Sequence, residues 1–524
     1  MTKTKFLAAA SAAALLTSCG GDSGGAPPTG GTPTPPTSTL NVSLSASNAD
    51  VTVPEGGQAK FGFVASYSGT SSAPVVADIV IGGRRYTLDG EPSESGKQFT
   101  VDLATVPFPA GGETSSTVTF RLCTSSACST VYPGSTKTFT VNLDVEVGDW
   151  MTLQRNAAHT GYVAVRYDPD DFSDAWTMTD FSSMGINVAA TRGSIFSSLV
   201  TNSGTYETRA ISSTDGNEQW AYDLTPAGYL SAPYFADGRL ASMAMDSSSG
   251  NVPMQVLDKD GRYQTTITYA SQFSPGGTPT PFAGKVYFQA GYYGNVVYAA
   301  DPVTGGREWV TDTSVGARGY VHEGQSVGVD DDFVYYFGGG DLVLLARDTG
   351  TEAKRIANPF FSGFGNSYHG SYLGAPILDG QGRVFTFTDN KWQNQPLPLM
   401  AWSTDTDTAL WRTNASYINH PAYREGLLYA PRANSAVVDV IDTADGSVVR
   451  SIQMNPGSSN LTSNVVLTER HLFVATSTTT YAIDIGQTGN PVVWSTDKGG
   501  ELAITPDNIL VISSNNGIHG IKLF

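Results

Sequence analysis

Between residues 40 and about 147, apolar and polar positions alternate in short runs. Ala59-Lys-Phe-Gly-Phe-Val, Phe99-Thr-Val-Asp-Leu, Ser116-Thr-Val-Thr-Phe-Arg-Leu and Thr138-Phe-Thr-Val-Asn-Leu-Asp-Val each send alternate side chains to one face. That is the period of a strand with one buried side. Turn residues such as Pro54-Glu55-Gly56-Gly57 separate the runs. Short alternating strands in series predict two packed sheets over 40–147.

From Trp150 onward the pattern changes. Apolar strand, turn and aromatic-ending strand recur as a unit. Clear copies are Pro233-Tyr-Phe-Ala-Asp-Gly238-Arg-Leu, Pro281-Phe-Ala-Gly284-Lys-Val-Tyr287, Pro376-Ile-Leu-Asp-Gly-Gln-Gly382-Arg-Val-Phe385 and Pro421-Ala-Tyr-Arg-Glu-Gly426-Leu-Leu-Tyr429. Weaker copies turn at Gly193, Asp332, Arg470 and Asn508, and successive turns lie 38 to 50 residues apart. A second turn recurs within the unit, as in Asp301-Pro-Val-Thr304-Gly305-Gly-Arg-Glu-Trp309 and Asp442-Thr-Ala-Asp445-Gly446. The aspartate accepts backbone N–H bonds there, and glycine takes the positive-φ position. The tryptophan beyond opens an outer strand and packs between neighbouring units. A period of this length predicts a β-propeller, here eight-bladed over 148–524. The last unit, ending Gly517-Ile-His-Gly-Ile-Lys-Leu-Phe524, is one strand short. Asp174-Ala-Trp176-Thr-Met-Thr, ahead of the first full unit, is expected to complete it and close the ring.

The Asp-x-x-Thr-Gly-x-x-x-Trp pattern resembles the PQQ-like, quinoprotein-type propeller repeat. The opening stretch Gln154-Arg155-Asn156-Ala-Ala-His159-Thr160-Gly161-Tyr162 resembles the segment that begins many such propellers. The resemblance extends to the lipoprotein subunit of the outer-membrane β-barrel assembly machine, which docks on protein partners. Val53-Pro54-Glu55-Gly56 resembles bacterial immunoglobulin-like modules, so 40–147 is expected to be an Ig-like sandwich used as a spacer. The fold class is therefore all-β, an Ig-like sandwich followed by the propeller.

The first residues read as an address. Lys3 and Lys5 precede an apolar run from Phe6 to Leu16, too short to span a bilayer permanently. Leu16-Thr17-Ser18-Cys19 resembles a bacterial lipobox, which implies a signal peptide over 1–18 and lipidation of Cys19. Gly20, rather than aspartate, after that cysteine points by the same resemblance to the outer membrane. Residues 19–39 then carry the lipidated cysteine and a Gly/Pro/Thr linker with nothing to bury. Cys123 and Cys128, between two strand-like runs, suit a disulfide in an oxidising compartment. Two buried thiols are the alternative. The formal net charge of −18 removes nucleic acid from the partners considered.

Candidate chemistry is sparse. By resemblance, quinoprotein dehydrogenases hold PQQ with an adjacent cysteine pair, a calcium ion, a catalytic aspartate and a stacking tryptophan. The propeller stretch here has no cysteine. The six histidines form no metal-spaced pair. Asp168-Pro-Asp170-Asp171 and Asp330-Asp331-Asp332 lack the ligand spacing of a calcium loop. No cofactor, metal or catalytic residue is therefore expected. Tyr292 and Tyr293, with Phe364, Tyr368 and His369 of a Gly-rich loop, could form a recognition surface or simply pack. The sequence reads as a non-catalytic, lipid-anchored outer-membrane scaffold for a protein partner. A carbohydrate- or protein-binding adhesin is the alternative, and a PQQ-dependent dehydrogenase is disfavoured.

Overall fold

The computed structural model describes residues 38–524 except 185–186, 225–228, 246–250, 273–276, 293–295, 313–325, 339, 362–374, 389–395 and 456. Strands dominate, and the helical element among the described residues is the 3-10 turn Pro169–Asp171.

The N-terminal alternation is realised as two sheets. One orders the strands Asn41–Leu44, Lys60–Ser68, Gln98–Thr105 and Tyr86–Leu88, with Ser93–Ser95 paired beside the third. The other orders Asn48–Pro54, Lys137–Glu146, Gly112–Cys123 and Val76–Ile81. Phe139, Val141, Leu143 and Val145 are buried on alternate positions of one strand, as a half-buried sheet requires. The faces interlock through aromatic contacts: the Phe63 ring lies 4.6 Å from Phe139, and Phe99 lies 6.0 Å from Phe120.

Beyond this unit the chain lays down four-stranded antiparallel sheets one after another. Ala189–Thr191, Ser194–Thr201, Tyr206–Ser212 and Glu218–Asp223 make the first, with Phe181–Met184 also against Ser194–Thr201. Further sheets follow, with strands beginning at Tyr234–Ala236, Thr280–Phe282, Gly328–Val329, Ile377–Leu378, Ala422–Arg424, Val466–Thr468 and Glu501–Ile504, and Tyr162–Val163 adds in parallel to Val466–Thr468. One departure joins two neighbours: Ser271 and Gln272 pair in parallel with Gly291 and Tyr292.

Within a sheet the strands differ in kind. Val437–Asp442 (VVDVID) is buried at five successive positions, whereas the outer strand Val448–Gln453 is mostly exposed. Continuous apolar runs belong to strands covered on both faces. The C-terminal strands Ile509–Ser514 and Gly517–Lys522 receive their outer neighbour from far upstream. Ser173–Met178 pairs antiparallel with Gly517–Lys522, matching Trp176 with Gly520 and Met178 with Ile518. The first and last parts of the repeat region are thereby joined by a strand pair.

Candidate functional site

Residues 150–163 lie at the inner edges of these sheets. Trp150 and Ala190 exchange two backbone bonds, and Met151 O accepts from Phe235 N–H at 2.8 Å. Thr152 Oγ1 donates to Pro279 O at 2.7 Å. Ala157 O, Ala158 O, Thr160 O and Gly161 O accept from Val329, Leu378, Tyr423 and Leu467 respectively, at 2.8 to 3.0 Å. These partners lie in or beside the first strands of successive sheets, in the order in which the chain makes them. One short segment therefore serves as a hub.

The hub side chains complete the bonding. Gln154 Nε2 donates to Pro421 O and Val465 O, and its Oε1 accepts from Asn464 Nδ2 at 2.6 Å. The His159 ring nitrogens face Leu153 O and Val327 O at 2.6 and 2.9 Å. Burial holds the His159 pKa below its usual value, against the pull of those carbonyls. Gln154, Arg155 and His159 all have positive φ, a conformation that non-glycine residues adopt only where surroundings enforce it. Next to this network, Glu501 accepts from Asn464 N–H at 2.9 Å and from Asn419 Nδ2. Burial pushes the Glu501 carboxyl up to about 7, against the pull of both donors. His420 is pulled down to about 3 by burial and then by the neighbouring His159.

Neighbouring sheets lock through the tryptophans that open the outer strands. The indole N–H groups of Trp176, Trp220, Trp309 and Trp411 donate to Ser213 O, Lys259 O, Arg347 O and Thr443 O at 2.8 to 2.9 Å. Each acceptor belongs to a turn of the next sheet. The turn glycine lies under the indole: a Cβ on Gly446 would be 2.6 Å from Trp411, and one on Gly216 would be 2.7 Å from Trp176. Glycine is needed there for space as well as for its positive φ. Trp494 differs. It packs edge-on against Phe172 at 5.6 Å, beside the strand that completes the last sheet.

The two-sheet unit and the repeat region meet at a polar junction. Glu55 accepts from both terminal nitrogens of Arg155, from Ala164 N–H at 2.7 Å and from Gly148 N–H at 3.0 Å. Burial alone would raise the Glu55 pKa, but Arg155 and these N–H groups hold it below the usual value. Asn508 and Gly111 exchange two bonds of 2.8 Å. Beside them opens a cleft of about 680 Å³, walled by Arg84, Arg85, Phe108, Arg166, Arg470 and Phe524 among others.

Of the residues singled out from sequence, Tyr293, Phe364, Tyr368, His369 and Cys19 lie outside the described residues. Tyr292 ends the strand Lys285–Tyr292. Cys123 and Cys128 are joined as a disulfide, with Cα atoms 5.0 Å apart. The acidic runs act in turns and ion pairs. Asp330 accepts from Asp332 N–H and Phe333 N–H, and Asp171 pairs with Arg84 at 2.8 Å. Sequence reasoning missed Glu55 as a clasp and Arg85 altogether. The only available signal was the charged character of two turns, Pro54-Glu55-Gly56 and Gly83-Arg84-Arg85.

The family described as outer membrane protein assembly factor BamB matches residues 269–452. No curated protein sequence matches the chain. Among solved structures, BamB from Moraxella catarrhalis is similar with a TM-score of 0.51 at 13% identity, covering 67% of this chain and 100% of that one. A quinohemoprotein alcohol dehydrogenase from Comamonas testosteroni gives 0.50 at 14% identity, over 71% and 80%. Another, ADHIIG from Pseudomonas putida, gives 0.52 at 12% identity, over 72% and 80%. At these identities the likeness to solved structures speaks for fold. With the repeats, it makes the region after residue 150 a β-propeller, with PQQ-like repeats matched over residues 269–452.

The residues present do not fit the quinone that the dehydrogenase likeness implies. The repeat region has no cysteine to supply the adjacent pair. Trp176, Trp220, Trp309 and Trp411 are committed to turns of neighbouring sheets. The hub segment itself fills the inner edges of the sheets. Among the described residues, the acid, histidine and cysteine groups that gather at metal-binding distance are Asp78, Cys123 and Cys128. They lie in the two-sheet unit, where both sulfurs are already bonded to each other.

Proposed function

We propose that this propeller protein is a non-catalytic, lipid-anchored scaffold of the outer membrane that docks a protein partner. In this reading Cys19 carries the lipid and residues 20–39 are the tether. An Ig-like unit over 40–147 spaces an eight-bladed wheel over 148–524 away from the membrane. The Cys123–Cys128 disulfide belongs to an oxidising periplasm or cell surface.

The observation that carries the reading is the hub. Its polar groups are spent on backbone groups of the ring itself, which produces rigidity. A rigid ring with turns at its rims suits docking. The match to the BamB family supports the same class of role.

Two experiments test it. Cys19→Ser should move the chain from the membrane to the soluble fraction. Photo-crosslinking in the native cells, from probes at exposed rim and outer-strand positions such as Val303 and Val448, should give a reproducible protein adduct. No adduct from any rim position would sink the scaffold reading.

A further inference from the structure

We infer that the junction cleft is a binding site for an organic carboxylate, with Arg85 as its anchor. This stands apart from the scaffold reading and would survive its failure.

Arg85 is 5% exposed, a burial that arginine rarely reaches without a carboxylate. Every other arginine of the cleft has one. Arg84 pairs with Asp171 at 2.8 Å, Arg470 with Asp484 at 2.8 Å, and Arg166 with Glu469 at 3.5 Å. Among the described residues, Arg85 has none. Its Nη1 donates to Gly112 O at 2.6 Å, and its Nε has no acceptor. Its guanidinium lies 4.3 Å from the centre of the Phe524 ring, a cation–π contact that positions the group without neutralising it. Burial pulls its pKa down to about 10, with Tyr167 and Asp144 countering only part of that.

Nη1 is used by Gly112 and Nε is sealed from solvent, so the donors left for a ligand are those of Nη2, which can give one oxygen of a carboxylate a charge-assisted bond. The surroundings select the rest of the ligand. Val106, Pro107, Phe108, Val493 and Phe524 supply apolar wall. A cleft of about 680 Å³ is far larger than an inorganic ion needs and lies in the range of small-molecule sites. The acids of the cleft do not oppose this. Asp171 and Asp484 are neutralised by their arginines, while Asp168 and Asp170 are exposed at the rim and screened by solvent. The chemistry is thus a carboxylate on an apolar or aromatic body. A free organic acid and the C-terminus of a peptide both offer it.

The test uses the full-length protein, purified in detergent, and calorimetric titration at constant ionic strength. Benzoate and acetyl-phenylalanine represent the two sources, and benzamide and inorganic phosphate are the comparators. Saturable binding of either acid, weakened at least about tenfold in Arg85→Gln, supports the site, and the tighter acid names the source. Absence of saturable acid binding overturns it. So does equal affinity in Arg85→Gln, or equally tight binding of benzamide or phosphate. Should Arg85→Gln fail to fold, Val106→Trp fills the cleft and leaves Arg85 in place. Loss of acid binding with an unchanged melting temperature then supports the proposal, and retained binding overturns it.

Discussion

The hub of the ring and the cleft at the junction both bury polar side chains, with opposite outcomes. In the hub, Gln154 and Asn464 find protein partners for both ends of their amides, and His159 lies between two carbonyls, one of which takes the N–H of its neutral ring. In the cleft, three arginines are matched to acids and Arg85 is left with a single carbonyl. Buried polar groups with a full set of partners specify a structure. A buried cation without a counter-charge costs stability until something supplies one. The difference separates residues that close the fold from a residue available to a ligand.

The largest expected effect breaks the hub. Gln154→Leu strips partners from Pro421 O, Val465 O and Asn464 Nδ2 at once. It should cost about 3 to 5 kcal/mol, read as a lowered denaturation midpoint. If Gln154→Leu is neutral, the hub does not hold the ring.

A smaller loss is expected where neighbouring sheets lock. Gly446→Ala must place a Cβ 2.6 Å from the Trp411 indole at a φ of +74°. Gly284→Ala meets nothing within 4 Å at a φ of +75° and isolates the backbone cost, about 1 kcal/mol. Gly446→Ala should exceed that control by a further 1 to 3 kcal/mol or so. Equal losses would mean that the indole does not press on the turn.

The hub should also give a pH signature. The Glu501 pKa is raised to about 7 in the folded chain, so folding favours its protonated form. The stability it adds is full below an unfolded pKa near 4.5 and declines as pH rises through about 7, by on the order of 1 to 3 kcal/mol. His420 has the opposite sign. Its Nε2 accepts from Ala375 N–H at 3.0 Å, which requires the neutral ring. Stability is therefore lost as pH falls from about 6.5 toward the folded value of about 3. Glu501→Gln should leave the histidine effect unopposed and steepen the loss of stability between pH 7 and 4.5. A profile parallel to wild type would show that Glu501 does not titrate in that window.

The smallest effect belongs to the cleft. Without ligand, Arg85→Gln should change stability by less than about 1 kcal/mol, since lost packing and a lost carbonyl bond are offset by removal of an unpaired buried charge. A loss as large as that of Gln154→Leu would make Arg85 a structural residue and erase the contrast between the two regions.

The repeats were legible because each unit repeats the same side-chain physics. Apolar inner strands, turn aspartates and positive-φ glycines such as Gly238, Gly284 and Gly426 recur at nearly constant spacing. The strand containing Trp176 could be assigned to the last sheet because the final unit is a strand short. The hub could be recognised as a motif but not as a hub. Its partners are mostly backbone amides and carbonyls from different sheets, and these have no sequence signature. Arg85 was invisible for a related reason. Its isolation arises only when Gly112 and Phe524 pack beside it, and nothing in Gly83-Arg84-Arg85-Tyr86 distinguishes it from its ion-paired neighbour. The aromatic surface drawn from Tyr292, Tyr293, Phe364, Tyr368 and His369 stays a sequence expectation.

In the proposed scaffold reading, the ring is closed on its own hub residues and carries no quinone chemistry. Titration of the purified full-length protein with PQQ and calcium, followed by alcohol-dependent dye reduction, tests it directly. The account predicts neither saturable PQQ binding nor turnover. Binding near one PQQ per chain accompanied by dye reduction would contradict it.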